Sequence, residues 1–143
     1  MKEKLEIDFF KDKQKHILNP DILSEKAKEL AKFIRPSQTS IHQIRKFYNQ
    51  ALLIKQKIVS KGKEEKMEEE FLRQLPYIKM FKAHAAYAAN RKNSRITWQF
   101  KKFIDELIDK VNDRHDFLVF CDLFEAVVAF CVEIMNTNKN RYK

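Results

Sequence analysis

One nearly unbroken apolar stretch constrains the fold of this chain more than any other feature. Of the nineteen residues from Phe117 to Met135, only Asp122, Glu125 and Glu133 are polar. A helix of this composition is apolar nearly all the way round, so other helices or another subunit must enclose it. Its longest run without a charge, Ala126 to Val132, is much shorter than the ~20 apolar residues that span a bilayer. The stretch therefore predicts a central core helix and no membrane span.

Residues that favour turns are rare along the chain. One glycine and three prolines among 143 residues, with many Lys, Glu, Leu, Ala, Ile and Phe, are typical of long helices joined by short loops. A chain of this length is predicted to form a single domain, residues 1–143, that needs neither a disulfide nor a metal. We expect an all-α fold, a compact bundle of about five helices. The apolar helix also suits a dimer in which two copies exchange this element.

The first helix has clear start and stop signals. Asn19 and Pro20 predict its beginning, with Asn as the cap and Pro in the first turn. Pro36 ends it after about Ile34, because the residue before a proline avoids the helical conformation. The preceding residues, 1–19, are interpreted as an N-terminal arm or short helix.

The second helix presents one apolar side and one polar side. Ser40 and Gln43 fit a capping box at its beginning, and Gly62, the only glycine of the chain, follows its end. A helical wheel places the apolar residues together. The opposite side carries His42, Lys46, Asn49, Gln50 and Lys57, with Arg45 at its edge.

Four further helices are predicted over residues 63–75, 77–92, 95–111 and about 114–136. Pro76 is expected to kink or restart the chain between the first two of them. In the helix after Pro76, Lys82 projects away from the stripe that holds Tyr77 and Arg91. Residues 137–143 are expected to form a flexible basic tail.

The formal charge of +9 is distributed unevenly. Seven bases and no acid lie between Ala31 and Gly62, and eight bases and no acid lie between Phe71 and Ile104. Acids are concentrated in Glu64–Glu70 and in Asp105–Glu133, where eight acids accompany two bases. Such segregation predicts one positive side, suited to a polyanion, and one negative side, suited to a basic partner.

The two cysteines lie on the predicted core helix. Cys121 and Cys131 are about 15 Å apart along a helix axis, which is too far for a disulfide. We expect free, buried thiols in a reducing compartment, because no cation near them in sequence would activate a thiolate. Residues 1–10 contain no secretory signal, so the protein is predicted to be cytoplasmic.

The side chains that usually perform catalysis or bind metals do not converge in the sequence. His16, His42, His84 and His115 form no pair at metal-ligand spacing, and His84 is expected to be a core-edge residue beside Tyr87. The acids between Asp105 and Asp116 are interpreted as a solvated face or a dock for a basic partner in preference to an ion site. The sequence therefore predicts no enzyme, no metal and no cofactor.

Basic faces beside aromatic residues favour RNA as a partner. Lysines and arginines contact phosphates, and planar rings such as Tyr87 and Trp98 stack on bases. Lys46, Lys57 and Lys82 are the predicted phosphate contacts, with His42 beside them. Two alternatives remain, namely that these lysines only maintain solubility, and that Trp98 contacts another subunit.

Three segments together resemble a known family. They are Thr39 to Tyr48 (TSIHQIRKFY), Ala83 to Arg91 (AHAAYAANR) and Phe120 to Phe130 (FCDLFEAVVAF). In this order they are similar to the small helical subunit of type III-A CRISPR (Csm) effector complexes, over about residues 20–136. Phe130 stands where the family often has Tyr, a change that removes one hydroxyl.

The resemblance implies a non-catalytic subunit of a ribonucleoprotein. Several copies would stack beside the backbone that holds the guide RNA and would help to hold the target RNA, while other subunits cleave. Among the matched residues, Arg45, Lys46 and Arg91 are the implied cations, and for Arg45 and Arg91 a structural role between helices is equally open. The alternative is a helical adaptor or oligomerisation module whose charges serve only protein partners.

Overall fold

The chain folds into six α-helices preceded by a short β-hairpin, in a computed structural model that describes residues 4–141, with side chains through residue 137. The elements are β1 Phe10–Asp12, β2 Ile17–Leu18, α1 Glu25–Ile34, α2 Ile41–Val59, α3 Glu64–Lys79, α4 Phe81–Asn90, α5 Trp98–Asp109 and α6 Arg114–Arg141. The predicted all-α fold is confirmed. The prediction of about five helices also agrees with this count, because Met80 alone separates α3 from α4.

Helix α6 is the central element of the bundle. It packs against α1 and α2, while α5 packs against α4 and α1, and α3 packs against α2. Phe124 of α6 is fully buried, with its ring centroid 5.6 Å from those of Tyr48 and Phe103 and 5.8 Å from that of Phe120. The predicted core helix is therefore confirmed for the first part of the apolar stretch.

The end of the apolar stretch is less enclosed than its composition predicts. Cys131 is buried, but Val132, Ile134 and Met135 are only partly buried and Glu133 is exposed. The stretch is apolar nearly all the way round the helix, but only its first part is enclosed.

Two threonines join the ends of three helices. The hydroxyl groups of Thr39 and Thr97 lie 2.6 Å apart, and both reach the carbonyl oxygen of Ile34 at the end of α1. Beside them the hydroxyl of Ser40 accepts from the backbone N–H of Gln43, as the predicted cap requires. This junction sets the start of α2, and with it the direction in which the cationic side of α2 faces.

The only glycine supports the turn after α2. Gly62 has φ +76°, a conformation that a residue without a Cβ adopts at little cost, and its N–H donates to the Val59 carbonyl at 3.1 Å. The predicted end of this helix is therefore confirmed.

The predicted start of α1 is wrong by several residues. The helix begins at Glu25, and residues 20–24 form turns. Asn19 does not cap it, because the helix begins six residues later. Its backbone N–H instead donates to the Phe9 carbonyl at 3.0 Å, and its side-chain amide donates to the Asp8 carbonyl at 2.7 Å. Asn19 thus contacts the N-terminal segment and not the helix.

Where an N-terminal arm or short helix was expected, the described residues form the β1–β2 hairpin. Ile7 and Phe9, just before β1, are buried in the core, and the backbone N–H of Leu5 donates to the carboxylate of Glu106 at 2.9 Å. The segment is held by packing against α5 and not by its own helical propensity. Its first three residues lie outside the described part of the chain.

Pro76 does not break the chain where it was expected to. It lies inside α3, and the break comes at Met80, four residues later. Proline removes one amide donor, which orphans the carbonyl of Leu72. Both Leu72 and Pro76 are exposed, so the break in hydrogen bonding lies on the solvent side of the helix, where water can compensate.

The last two helices also shift from their predicted ends. Helix α5 begins at Trp98, with the hydroxyl of Thr97 as cap, and not at Arg95. Helix α6 begins at Arg114 as predicted and continues to Arg141, so the backbone of residues 137–141 is helical where a flexible tail was expected. The last two residues of that tail are outside the described range.

Both cysteines are free and buried, as predicted. Desolvation raises the pKa of each thiol to about 12, so both are protonated near neutral pH. Across residues 4–141, none of the helices combines the length and apolar character needed to cross a bilayer.

Candidate nucleic-acid interface

A groove runs between α2 on one side and the end of α3 with α4 on the other. It consists of two cavities, of about 460 Å³ and about 260 Å³, that share Gln50 and His84. We call it the α2–α4 groove. Its larger cavity is lined by Gln50, Leu53, Ile54, Lys57, Gln74, Tyr77, Met80, Phe81 and His84, and its smaller cavity by His42, Gln43, Lys46, Phe47, Gln50, His84 and Arg91.

Four of the predicted site residues meet in this groove. His42, Lys46 and Arg91 line the smaller cavity, and Lys57 lines the larger one. His42, Lys46 and Lys57 are on α2, while Arg91 directly follows α4, so the fold joins two basic segments that are far apart in sequence. The convergence of these side chains is the main functional result of the tertiary structure.

The α2–α4 groove contains no acidic lining residue. Neither cavity includes an Asp or a Glu, and in the part of the chain that the structure describes, no carboxylate lies within salt-bridge distance of Lys46, Lys57 or Arg91. Two other cavities are charge-compensated, since one includes Glu6 and Glu29 and the other Asp105 and Glu106 beside their lysines. The groove is therefore a site of uncompensated positive charge.

Two predicted site residues lie elsewhere. Lys82 faces α5, where its ammonium is 2.7 Å from the carboxylate of Asp109, and this ion pair raises the pKa of Lys82. Arg45 is exposed on α2 but lines neither cavity of the groove. The structure thus separates Lys82 from the other lysines with which the sequence grouped it.

Other cations of the chain are used to hold helices together. The buried guanidinium of Arg114 donates to Glu64 and Glu68, joining the start of α6 to α3. The ammonium of Lys79 donates to the carbonyls of Ile108 and Val111, at 2.9 Å and 2.6 Å. Desolvation lowers the pKa of Lys79, as expected for an ammonium taken partly out of water to close the end of α5.

The wall that α3 and α4 contribute is apolar and exposed. Tyr77 is 61% exposed and Met80 48%, and Leu53 of α2 lines the same cavity. Tyr87 is 67% exposed on α4 but lines neither cavity of the groove. The floor is formed by buried rings, with Phe47 and Phe81 in edge contact at 6.4 Å. The sequence predicted base stacking for Tyr87, but it did not predict that Tyr77 and Met80 form an exposed wall. The signal was present in their spacing, because residues three apart share a helix face.

His84 is not the core-edge residue that was expected. It is exposed and lines both cavities of the α2–α4 groove. One turn further along, the guanidinium of Arg91 lies 5.8 Å from the ring centroid of Tyr87, in a cation–π contact. This contact holds the guanidinium along the rim of the groove.

Trp98 lies outside the α2–α4 groove. It is 55% exposed and makes an edge contact with Phe33 at 6.1 Å between ring centroids. It also lines the cavity that includes Asp105 and Glu106. This cavity contains carboxylates, unlike the cavity beside Tyr77.

The acids that were considered as an ion site are engaged with the protein. Asp105 and Asp109 pair with lysines, and Asp116 accepts from Lys13 and from the backbone N–H groups of Asn112 and Asp113. Among the described residues, no group of three or more His, Cys, Asp or Glu side chains is arranged to hold a metal ion. The groove therefore offers electrostatic and stacking contacts, and its lining contains no carboxylate or thiol.

Fold and groove together define a small all-α protein with an acid-free cationic groove on its surface. Residues 18–132, more than half of the chain, match the family model described as Csm2 Type III-A. The chain belongs to this family and is a small subunit of type III-A CRISPR complexes, as the three sequence segments indicated. Neither the curated proteins nor the solved structures compared with the chain gave a match.

Proposed function

We propose that this subunit holds target RNA and its duplex with the guide RNA through the α2–α4 groove, without base specificity and without catalysing cleavage. Lys46, Lys57 and Arg91 contact phosphates, and His42 lies beside them. Several copies stack within the complex and adjoin other CRISPR effector subunits. The working compartment is the cytoplasm, where guide RNA and target RNA meet.

The observation that supports this proposal is the uncompensated charge of the α2–α4 groove. Elsewhere Lys82, Arg114 and Lys13 are satisfied by carboxylates of the chain itself. The groove cations have no such partner among the described residues and gather from two separate helices. Clustered cations of one sign attract a polyanion and release its counterions on binding.

Phosphate contact alone accounts for the absence of base specificity. Lysine and arginine side chains on the groove reach the RNA backbone, whose charge does not depend on sequence. Arg45, exposed on the same helix, extends the positive surface beyond the groove. Lys82 contributes little to this contact, because an RNA phosphate would have to displace Asp109.

The proposal is tested by fluorescence anisotropy with labelled single-stranded RNA and with a guide–target duplex at several salt concentrations. We expect log affinity to fall linearly with log salt, with a slope of about 0.7 for each phosphate neutralised on a single strand. The double variant Lys46→Glu/Lys57→Glu should bind much more weakly and with a shallower slope. Unchanged binding by this variant would contradict the assignment of the groove.

A matched control changes the charge by the same amount elsewhere. Lys11 and Lys15 are exposed on the β1–β2 hairpin and line neither cavity of the groove. Lys11→Glu/Lys15→Glu should therefore retain most of the affinity, apart from the loss due to net charge. If both double variants lose binding equally, only the total charge matters and the groove has no special role.

A second candidate function rests on the end of α6. Ile134 and Met135 are only partly buried, and the described helix continues beyond them to Arg141. Partly buried apolar side chains in this part of the helix support an adaptor that binds protein partners, including a second copy that exchanges this helix. Sedimentation of the free protein over a wide concentration range tests the idea, and a monomer throughout would remove self-exchange.

A further inference from the structure

We propose that the larger cavity of the α2–α4 groove holds one unpaired nucleobase of the bound RNA, stacked on Tyr77. This inference rests on the proposed RNA binding and adds a contact with a base to the contacts with phosphates. The base enters between the α2 wall, at Leu53, and the α3–α4 wall, at Tyr77 and Met80. Lys57 lies at the same cavity, placed to bind the phosphate of that nucleotide.

The walls of this cavity are apolar and exposed. Leu53, Tyr77 and Met80 are large hydrophobic side chains that are exposed, and all three line a single cavity. Scattered exposed hydrophobic residues need no explanation, but a contiguous apolar surface rimmed by polar groups marks a binding site. The cavity volume of about 460 Å³ is within the range of small-ligand sites.

The polar groups at the cavity suit the edge of a nucleobase. Gln50 and Gln74 each present an amide that has both donor and acceptor atoms. The amino group of Gln74 already donates to Glu70 at 2.8 Å, which leaves its carbonyl oxygen able to accept. Amides of this kind can satisfy the edge of any base, and every base has a face that stacks on an aromatic ring. The cavity thus suits a base without selecting its identity.

The positive charge beside the cavity favours RNA over a protein helix as the occupant. An apolar groove between two helices could also bind an amphipathic helix. Here the apolar cavity shares Gln50 and His84 with the second cavity, where Lys46, His42 and Arg91 add further positive charge. A chain that alternates apolar rings with regularly spaced negative charges matches both parts, and RNA has this character.

The test uses two RNA duplexes that differ by one base. Each carries one unpaired internal nucleotide, and in the second duplex this nucleotide is abasic, so the phosphates are the same. We expect the wild-type protein to bind the duplex with the base about tenfold more tightly, the scale of one stacked base. Tyr77→Ala should reduce this ratio to near one, while Tyr77→Phe, which keeps the ring, should preserve it.

The charge variant separates the two proposals. Lys46→Glu should weaken binding of both duplexes by the same factor and leave their ratio unchanged. Equal binding of the two duplexes by the wild-type protein would overturn the nucleobase site and leave a protein helix as the occupant of the cavity. Absence of binding to either duplex at low salt would overturn the RNA-binding function itself.

Discussion

Two sides of this molecule use the same kinds of side chain in opposite ways. Around α5 and the start of α6, aromatic rings are buried against each other and cations are paired with carboxylates, as with Phe124 and Arg114. In the α2–α4 groove, the ring of Tyr77 is exposed above a floor of buried rings, and cations such as Lys46 have no acidic partner among the described residues. The first arrangement maintains the fold, and the second leaves the side chains available to a ligand.

The difference shows why residue type alone does not identify a binding surface. Lys46 and Lys82 are both lysines on basic helices, yet only Lys82 has an acid within reach. An unpaired cation costs a fold little when it is exposed, and it contributes little to stability. A cluster of such cations therefore fits the RNA contact that we propose better than it fits a stabilising role.

The largest expected difference in stability is between a variant of a core ring and a variant of the groove wall. Phe124→Ala should lower the free energy of unfolding by about 3–5 kcal/mol, because it removes a fully buried ring that contacts several others. Leu53→Ala should change it by less than about 0.5 kcal/mol, since Leu53 is exposed. Urea unfolding of both variants measures the contrast, and similar losses would mean that the groove wall is part of the core.

Two arginines provide the next contrast. Arg114→Ala should cost about 2 kcal/mol, because its buried guanidinium makes charged hydrogen bonds to Glu64 and Glu68. Arg91→Ala should leave stability nearly unchanged and weaken RNA binding instead. Thermal melting and anisotropy on the same two variants check both statements, and a large stability loss at Arg91 would assign it a structural role between helices.

The buried side should also respond to alkaline pH. Burial raises the pKa of Cys121 and Cys131 to about 12 from an ordinary value of 9.0, so above about pH 9 the unfolded thiols lose protons that the folded ones retain. Stability is then full below pH 9 and falls as pH rises towards 12, by at most about 1.4 kcal/mol per pH unit for each thiol.

A variant isolates this effect. Cys131→Ala removes one of the two thiols, so its unfolding free energy should fall less steeply between pH 9 and 11 than that of the wild type. Unfolding by urea at several pH values measures the slopes. Identical slopes would mean that other groups dominate the alkaline titration.

The smallest expected effect concerns the lysine that the structure separates from the groove. Lys82→Ala should lower stability by only about 0.5 kcal/mol, because its pair with Asp109 is solvent-exposed on both sides. The RNA affinity of Lys82→Ala should stay close to that of the wild type. Lys46→Ala should instead reduce RNA affinity without affecting stability. Loss of RNA binding in Lys82→Ala would extend the proposed surface to α5.

Local signals in the sequence located most of the helices but not the hairpin. Ser40 caps α2 and Gly62 follows its end as predicted, since both effects depend on neighbours within four residues. The predicted start of α1 at Asn19 is wrong. The backbone N–H and the side-chain amide of Asn19 donate to the Phe9 and Asp8 carbonyls of a folded-back segment. Contacts of that range do not show in a local pattern.

The candidate site was predictable in part. The sequence identified His42, Lys46 and Lys57 as one polar side of α2, because helical periodicity fixes which residues share a face. It did not separate Lys82 from them, and it did not recognise the wall formed by Tyr77 and Met80. Both depend on which helix packs beside which, since α5 brings Asp109 to Lys82 and α2 brings Leu53 to Tyr77.

The sequence by itself determined the helical class, the core helix and the family, because these follow from composition, periodicity and short motifs. Only the tertiary structure decided which charges are neutralised and which remain free for a partner. The physical reason is the short range of the deciding contacts. An ion pair or a cavity wall exists only when two segments distant in the chain come together, as they do where Lys46 and Arg91 line one cavity.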